Sequence, residues 1–320
     1  MLRQLVKWGA AREPGWAMTA PLRRSAVVVL MYHRITRPED PFKGGDVEQF
    51  RDQMLWLKRH CRLIAPEEYF GAVQRPSRLR PAVLVTFDDG YRDYHDNAYP
   101  VLHELKIPAV VFVATSFLGS NRLIWTDAVT WAFLRSAKKT VCVPWATRTS
   151  LPLGDGTERE RAARIAKDYL KDLPDAERQH LQALLFGELG VDPEDGSAGR
   201  QMLTWDEARA TLEFTRYGGH THTHPILSQI SAEAADEEIR LCRDRIQAEI
   251  GIAPRFFAYP NGRAQDFTEQ TKVSLARNGF ELGFATIEGV NDARSDRYAI
   301  RRQPTGARTL ADFAWLVAGH

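Results

Sequence analysis

PAVLVTFDDG, residues Pro81–Gly90, carries in ten positions the pattern on which the fold turns. An apolar, β-branched run passes directly into two carboxylates and a glycine. A continuous apolar run of this length, bounded by turn signals, reads as a strand buried on both faces of a parallel sheet. The same form recurs outward in both directions. Ala26–Tyr32 (AVVVLMY), Ala109–Ala114, Phe214–Gly219 (FTRYGG), Arg255–Tyr259, Leu282–Ala285 and Tyr298–Arg301 are further strands. Helical patterns lie between them. Asp46–His60 sets Val47, Phe50, Met54 and Leu57 on one face. Ala232–Ile250 does the same with Ile239, Ile246 and Ile250, and Asp266–Gly279 and Leu310–Val317 follow. Strands alternating with helices predict βα units and a parallel sheet, and about seven such units predict a distorted or incomplete α/β barrel.

One stretch breaks the rhythm. From Gly119 to Leu203 come a Trp-rich helix (Trp125–Ala137), a β-like piece (Thr140–Leu153) and two charged helices, Thr157–Leu173 and Asp175–Leu189. A polar loop, VDPEDGSAGR, leads back to the barrel pattern. The organisation read from the sequence is therefore an N-terminal tail (1–24), a barrel (25–118 and 204–320) and a mainly helical insertion (119–203). Mounted on one βα loop, that insertion is placed to cover or shape a cleft.

Composition narrows the function classes. The 320 residues are 44% hydrophobic and 26% charged, which fits a folded globular chain and excludes disordered and collagenous classes. With 43 basic and 41 acidic residues the net charge is +2, so no basic field argues for a nucleic-acid partner. Cys61, Cys142 and Cys242 lie far apart with no CxxC pair, which excludes a disulfide framework and suits a reducing compartment. No run approaches the ~20 apolar residues of a spanning helix, and residues 1–24 lack the apolar core of a secretory signal. The expected location is cytoplasmic. The tail sets five Arg/Lys against one Glu beside Leu2, Leu5, Val6 and Trp8, a composition suited to weak contact with the inner membrane face.

The polar residues fall in one place. His33, Asp88 with Asp89, His220, Asn261 and Arg302 each follow a strand, at the edge where parallel α/β folds gather catalytic groups. Two adjacent ionised carboxylates repel unless a cation or a proton intervenes. His220 and His224 in HTHTHP (His220–Pro225) stand at i, i+4, which sets two imidazoles on one side of a turn. A carboxylate with two imidazoles leaves coordination positions open, the mark of a catalytic rather than a structural metal site. Taken singly, Asp-Asp-Gly is an ordinary turn and HTHTH a solvated loop. His222, between the two candidates, is expected to point away.

TFDDG (Thr86–Gly90), H-T-x-x-H-P (His220–Pro225) and FAYPNG (Phe257–Gly262) resemble the first three motifs of the polysaccharide deacetylases, carbohydrate esterase family 4. MYHR (Met31–Arg34) and the late YAIRR strand resemble a bacterial exopolysaccharide-deacetylase branch. The resemblance implies a distorted (β/α)7 barrel that removes acetyl groups from N-acetylated amino sugars of a polysaccharide or lipid-linked glycan with a divalent metal. It implies Asp89, His220 and His224 as metal ligands, Asp88 as general base and the Asn261 N–H as oxyanion donor, with Thr221 supporting the His loop. An N,N,O ligand set favours Zn²⁺, with Co²⁺, Ni²⁺ and Mn²⁺ as alternatives. The partner would be an acetylated polysaccharide or oligosaccharide, with Tyr91 stacking on a sugar ring.

Two departures stand out. The family's third motif often carries an Arg that pairs with the base; here that slot is Ala258, and Arg302 is the candidate replacement. The late Leu-x-His motif, whose His serves as acid, is absent, and the only later histidine is His320. A leaving amine still needs a proton, and His33 stands at the right edge of the barrel and is of the residue type that most often serves as a general acid. Three rival readings remain from the sequence. They are an O-acetyl esterase on xylan-type polymers, a non-catalytic sugar-binding protein on the same barrel, and an iron(II) oxygenase with a two-His-one-carboxylate triad.

Overall fold

The computed structural model describes residues 26–146, 150–306 and 309–319. The tail 1–24, with the membrane contact expected of it, and His320 lie outside these residues.

Seven strands, β1 (Val27–Tyr32), β2 (Ala82–Phe87), β3 (Ala109–Val113), β4 (Thr215–Gly219), β5 (Phe256–Ala258), β6 (Leu282–Glu288) and β7 (Ile300–Pro304), pair in parallel, each with the next. β7 pairs back onto β1 at Leu30↔Gln303 and Met31↔Pro304, closing the ring. The closure is uneven. β4 and β5 share the single register pair Gly219↔Phe257, and the register of β6 on β7 slips between Phe284 and Glu288. The expected (β/α)7 barrel is therefore present, with its distortion on the β4–β7 side.

Strand alternation sorts the side chains. Val27, Val29, Ala82, Leu84, Val110, Phe112, Phe256, Ala258, Leu282, Phe284 and Ile300 fill the lumen. Their neighbours Val28, Leu30, Val83, Val85 and Val111 pack outward against helices, among them α1 (Val47–His60) with Phe50, Met54 and Leu57. Burial on both faces is why the strands read as unbroken apolar runs. Asp46 caps α1 by accepting from the Gln49 N–H at 2.9 Å. Three helices escaped the sequence reading: α2 (Tyr69–Gln74), α3 (Tyr99–Leu105) and the short Trp205–Ala210. At six or seven residues they are too short for a 3.6-residue period to show.

Residues between β3 and β4 build α4 (Trp125–Arg135), an antiparallel pair of strands (Thr140–Cys142 with Ser150–Pro152), α5 (Gly156–Leu170) and α6 (Asp175–Leu189). These elements pack on a cluster of their own that includes Val129, Phe133, Ala163, Ala166, Leu170, Leu185 and Leu189. Helix α7 is the short Trp205–Ala210 segment; α8 (Ala232–Ile250), α9 (Glu269–Arg277) and α10 (Leu310–Val317) complete the outer layer. Among the described residues no helix is long and apolar enough to cross a membrane. One boundary changes the chemistry. The last strand runs Ile300–Pro304 rather than Tyr298–Arg301, so Arg302 is a lumen-facing residue within β7, not one just past its end.

Gly218 occupies a lumen position in β4 where a Cβ would stand 2.6 Å from both the Phe112 ring and the Phe256 carbonyl oxygen. Gly218→Ala overpacks the barrel, and urea unfolding should show a loss of about 1–3 kcal/mol.

Candidate metal centre

The lumen row of β2 runs Ala82, Leu84, Thr86 and ends on Asp88, whose N–H still bonds the Tyr32 carbonyl at 3.0 Å as if the strand continued. The chain then turns through Asp89 (φ 75°) and Gly90 (φ 83°). A Cβ on Gly90 would come within 2.9 Å of Val113, so only glycine allows this turn to close. Across the barrel mouth, the His220 N–H extends β4 by bonding the Val113 carbonyl at 3.1 Å. Its Nδ1 lies 2.7 Å from the Ala258 carbonyl oxygen, so Nδ1–H donates there and Nε2 faces inward. Thr221 (φ 65°) donates its hydroxyl to the His220 carbonyl at 2.5 Å and accepts the His224 N–H at 2.9 Å. That turn delivers His224 (φ 62°) beside His220.

Both Nε2 atoms stand 3.2 Å from Asp89 Oδ1. Atoms bound at about 2.1 Å to one tetrahedral ion lie roughly 3.4 Å apart, so this spacing is that of a ligand set. All three residues are buried. Burial opposes a charged Asp89, but hydrogen bonds from the two rings hold its carboxyl well below the usual range. Burial also opposes charging the imidazoles. At His220 the bond to Asp89 and the charge of Asp88 outweigh it and raise the pKa; at His224 burial prevails and the pKa falls. One carboxylate cannot satisfy two charged rings, whereas a divalent cation satisfies both rings in their neutral form. The residues therefore fit a divalent metal.

Among the described residues, five non-glycine positions adopt positive φ. Four of them, Asp89, Thr221, His224 and Asn261, belong to this rim, so backbone strain concentrates where the polar groups converge. His222 turns away as expected, with Nδ1 2.8 Å from the Thr115 hydroxyl.

Asp88 faces a different partner. Arg302, fully buried, donates Nη1 to Oδ1 and Nη2 to Oδ2, both at 2.7 Å, while its Nε bonds the Ala285 carbonyl at 2.8 Å. Burial alone would raise the Asp88 pKa; the Arg302 charge reverses this and keeps it below the usual carboxylate value. His33, on the inward-facing row of β1, is 48% exposed with Nε2 4.0 Å from Asp88 Oδ2. Asn261 lines the same cleft of about 1140 Å³. Its side chain is held away by Asp266 (2.6 Å), and its carbonyl accepts from the Thr286 hydroxyl at 2.7 Å. All seven residues singled out in the sequence thus meet at one barrel mouth.

Several residues of the site were not foreseen. Arg34 is buried, bonded to Asp127 (2.7 Å), Asp93 (3.2 Å) and Gln201 (3.2 Å), with its guanidinium 3.6 Å from the Tyr91 ring centroid. It thereby ties the end of β1 to α4, and it takes the ring face that Tyr91 was expected to offer a sugar. Glu238 of α8 accepts the N–H groups of His222 and Thr223, both at 2.7 Å, and fastens the His loop from outside. Arg34 lies in the MYHR stretch quoted above, which carries no sign of its buried ion pairs, and Glu238, on a charged helix face, has no sequence signal.

A seven-stranded parallel barrel with an Asp-His-His cluster and an Arg-clamped Asp at its carboxyl-end mouth defines a class of hydrolase-type barrels. The profile described as polysaccharide deacetylase matches residues 76–147 and 195–282, together half of the chain. The chain belongs to the polysaccharide deacetylase family. Among curated relatives, poly-beta-1,6-N-acetyl-D-glucosamine N-deacetylase of Staphylococcus aureus is 29% identical over 142 residues, 40% of this chain and 49% of the relative. The Staphylococcus epidermidis protein of the same name is 29% identical over 114 residues, 31% of this chain and 39% of that protein. The chain thus matches less than half the length of these relatives. Two solved structures share the fold across 92% of this chain and 98% of their own. They are the Streptococcus pyogenes deacetylase PplD in complex with acetate (TM-score 0.59, 19% identity) and IcaB from Ammonifex degensii (TM-score 0.60, 18% identity).

Arg302→Met leaves the Asp88 carboxylate buried and unpaired. Denaturation at neutral pH should show a loss of about 3–5 kcal/mol, part of it recovered in the Asp88→Asn/Arg302→Met double variant, where no charge is stranded.

Proposed function

We propose that this chain is a metal-dependent hydrolase that removes acetyl groups from N-acetylated amino sugars of a polysaccharide or lipid-linked glycan. The observation that carries the reading is the pair of 3.2 Å contacts from His220 and His224 to one oxygen of Asp89, with the Arg302-clamped Asp88 beside them. Family membership and the names of the curated relatives support the substrate class.

Asp89, His220 and His224 would hold the ion; two imidazoles and a carboxylate suit Zn²⁺ best and accept Co²⁺, Ni²⁺ or Mn²⁺. When bound, such an ion acts as a Lewis acid that lowers the pKa of water and polarises the acetamide carbonyl. Asp88 is the group that takes a proton from the attacking water. Its depressed pKa makes it a weak base, one that would suffice toward water acidified by such an ion. Arg302 fixes the plane of that carboxylate and keeps it ionised. The Asn261 N–H donates to the oxygen on which charge develops, a contribution of about 2.7–4 kcal/mol for one such donor. The bond from the Asn261 side chain to Asp266 holds the backbone at that point. His33, half-exposed and 4.0 Å from Asp88, delivers a proton to the sugar nitrogen as acetate departs.

Two sets of variants test these roles. Asp89→Ala, His220→Ala and His224→Ala should lose bound metal, by elemental analysis, together with acetate release from N-acetylglucosamine oligomers. Asp88→Asn should retain the metal while kcat falls about a hundredfold or more, the scale of acid–base catalysis. A parental rate in Asp88→Asn would remove Asp88 as base, and a parental rate in His33→Ala would remove His33 as acid.

A further inference from the structure

We propose that the wall of the cleft contributed by α5 is a subsite for an anionic group on the glycan, a carboxylate or a phosphate, held by Lys167 and Lys171. This deepens the deacetylase reading and rests on it.

The argument begins with which charges of the cleft are already answered. Arg302 is matched by Asp88, and Arg34 by Asp127 and Asp93. Arg263 is matched by Asp266 at 3.0 Å and by Asp172 at 2.9 Å. Asp89 belongs to the two imidazoles. Among the lining residues this leaves Lys43, Lys167 and Lys171 against Asp46, which caps α1, and the exposed Glu160. Lys167, in the last turn of α5, and Lys171, the residue that caps its C-terminus, stand one turn apart in line with Ala163, so this end of the helix presents two ammonium groups to the cleft.

Lys167 is the more telling of the two. It is half-buried, and burial lowers its pKa. Its bonded partner is the Thr130 hydroxyl at 3.0 Å, and that hydroxyl is itself fixed by donating to the Thr126 carbonyl at 3.0 Å. An ammonium has three donors, and a hydroxyl answers one of them. No carboxylate lies within ion-pair distance of either lysine among the described residues. Asp127, already paired with Arg34, and the exposed Asp168 attract Lys167 only from beyond ion-pair distance. A partly desolvated cation with no directly bonded carboxylate is a costly arrangement that an anionic ligand relieves. The site is held in place from both ends. Gln229, in the segment that follows the His loop, donates to the Lys171 carbonyl at 2.6 Å, and Asp172 receives Arg263 from the rim beside Asn261. A glycan that sets an acetamido group at the metal centre and an acidic substituent on a nearby position matches this wall; a uniformly neutral glycan leaves it unanswered.

The test compares the metal-loaded enzyme on three probes. These are a neutral N-acetylglucosamine tetramer, an oligosaccharide of alternating glucuronic acid and N-acetylglucosamine, and a phosphate-bearing N-acetylglucosamine oligomer. We expect kcat/KM at least about tenfold higher on one or both anionic probes, the scale of a charge-assisted hydrogen bond, and declining with added salt. Whichever anionic probe is preferred identifies carboxylate or phosphate as the group. In Lys167→Gln/Lys171→Gln the ratio of anionic to neutral kcat/KM should fall to near one, with the change in KM. Equal or better turnover of the neutral tetramer overturns the proposal, as does a double variant that keeps the preference. If no probe is hydrolysed, the deacetylase reading fails, and calorimetric binding of the same oligosaccharides then decides the subsite. Binding of the anionic probes weakened about tenfold in the double variant supports it, and unchanged binding overturns it.

Discussion

Two carboxylates adjacent in sequence, both buried at the mouth of a barrel, are the constraint around which this molecule is arranged. Ionised side by side in a poorly solvated place, Asp88 and Asp89 would repel each other and lose hydration. The fold separates their solutions. Asp88 stays on the lumen row and meets a guanidinium delivered by a strand more than two hundred residues away. Asp89 is rotated off that row by a left-handed turn and meets two imidazoles from β4's extension. The positive φ of Asp89, the bare Cβ position at Gly90, the inward place of Arg302 and the Thr221 turn are all needed to keep the two acids apart and separately neutralised.

The strands and the polar edge were legible in the sequence because a strand buried on both faces has no polar alternation to disguise it, and because PAVLVTF runs straight into its acids. Asp89 and His220 could be grouped because each lies just past such a run, and His224 because it stands four residues after His220. Arg302 could be nominated, but its place could not be fixed, since whether the last strand stops at Arg301 or at Pro304 depends on pairing with β1 that no local pattern encodes. The helices α2, α3 and α7 are too short to announce themselves. Tyr91 was read as a sugar platform because it follows DDG. In the folded chain Arg34 covers its face, and only tertiary structure sets that contact.

The insertion meets the barrel through a buried ion pair, an exposed one and a shared apolar cluster. Arg34 reaches α4 at Asp127, Arg263 reaches Asp172, and the apolar cluster of the insertion includes Tyr91 and Ala114 from the barrel's own mouth. The candidate site and the cleft wall are therefore built of different materials. The polar groups of the rim stand on strand ends and tight turns locked by main-chain hydrogen bonds, while one side of the cleft is lent by helices packed on a cluster centred in the insertion.

That division has an evolutionary consequence. Because α4 to α6 centre on their own hydrophobic cluster and supply no hydrogen-bond partner to Asp88, Asp89, His220 or His224, substitutions on their cleft-facing side leave the contacts among those residues in place. Under the function proposed above, a lineage could thus exchange the glycan it takes by redrafting one loop, as a lathe changes its cutting bit while the spindle is left alone.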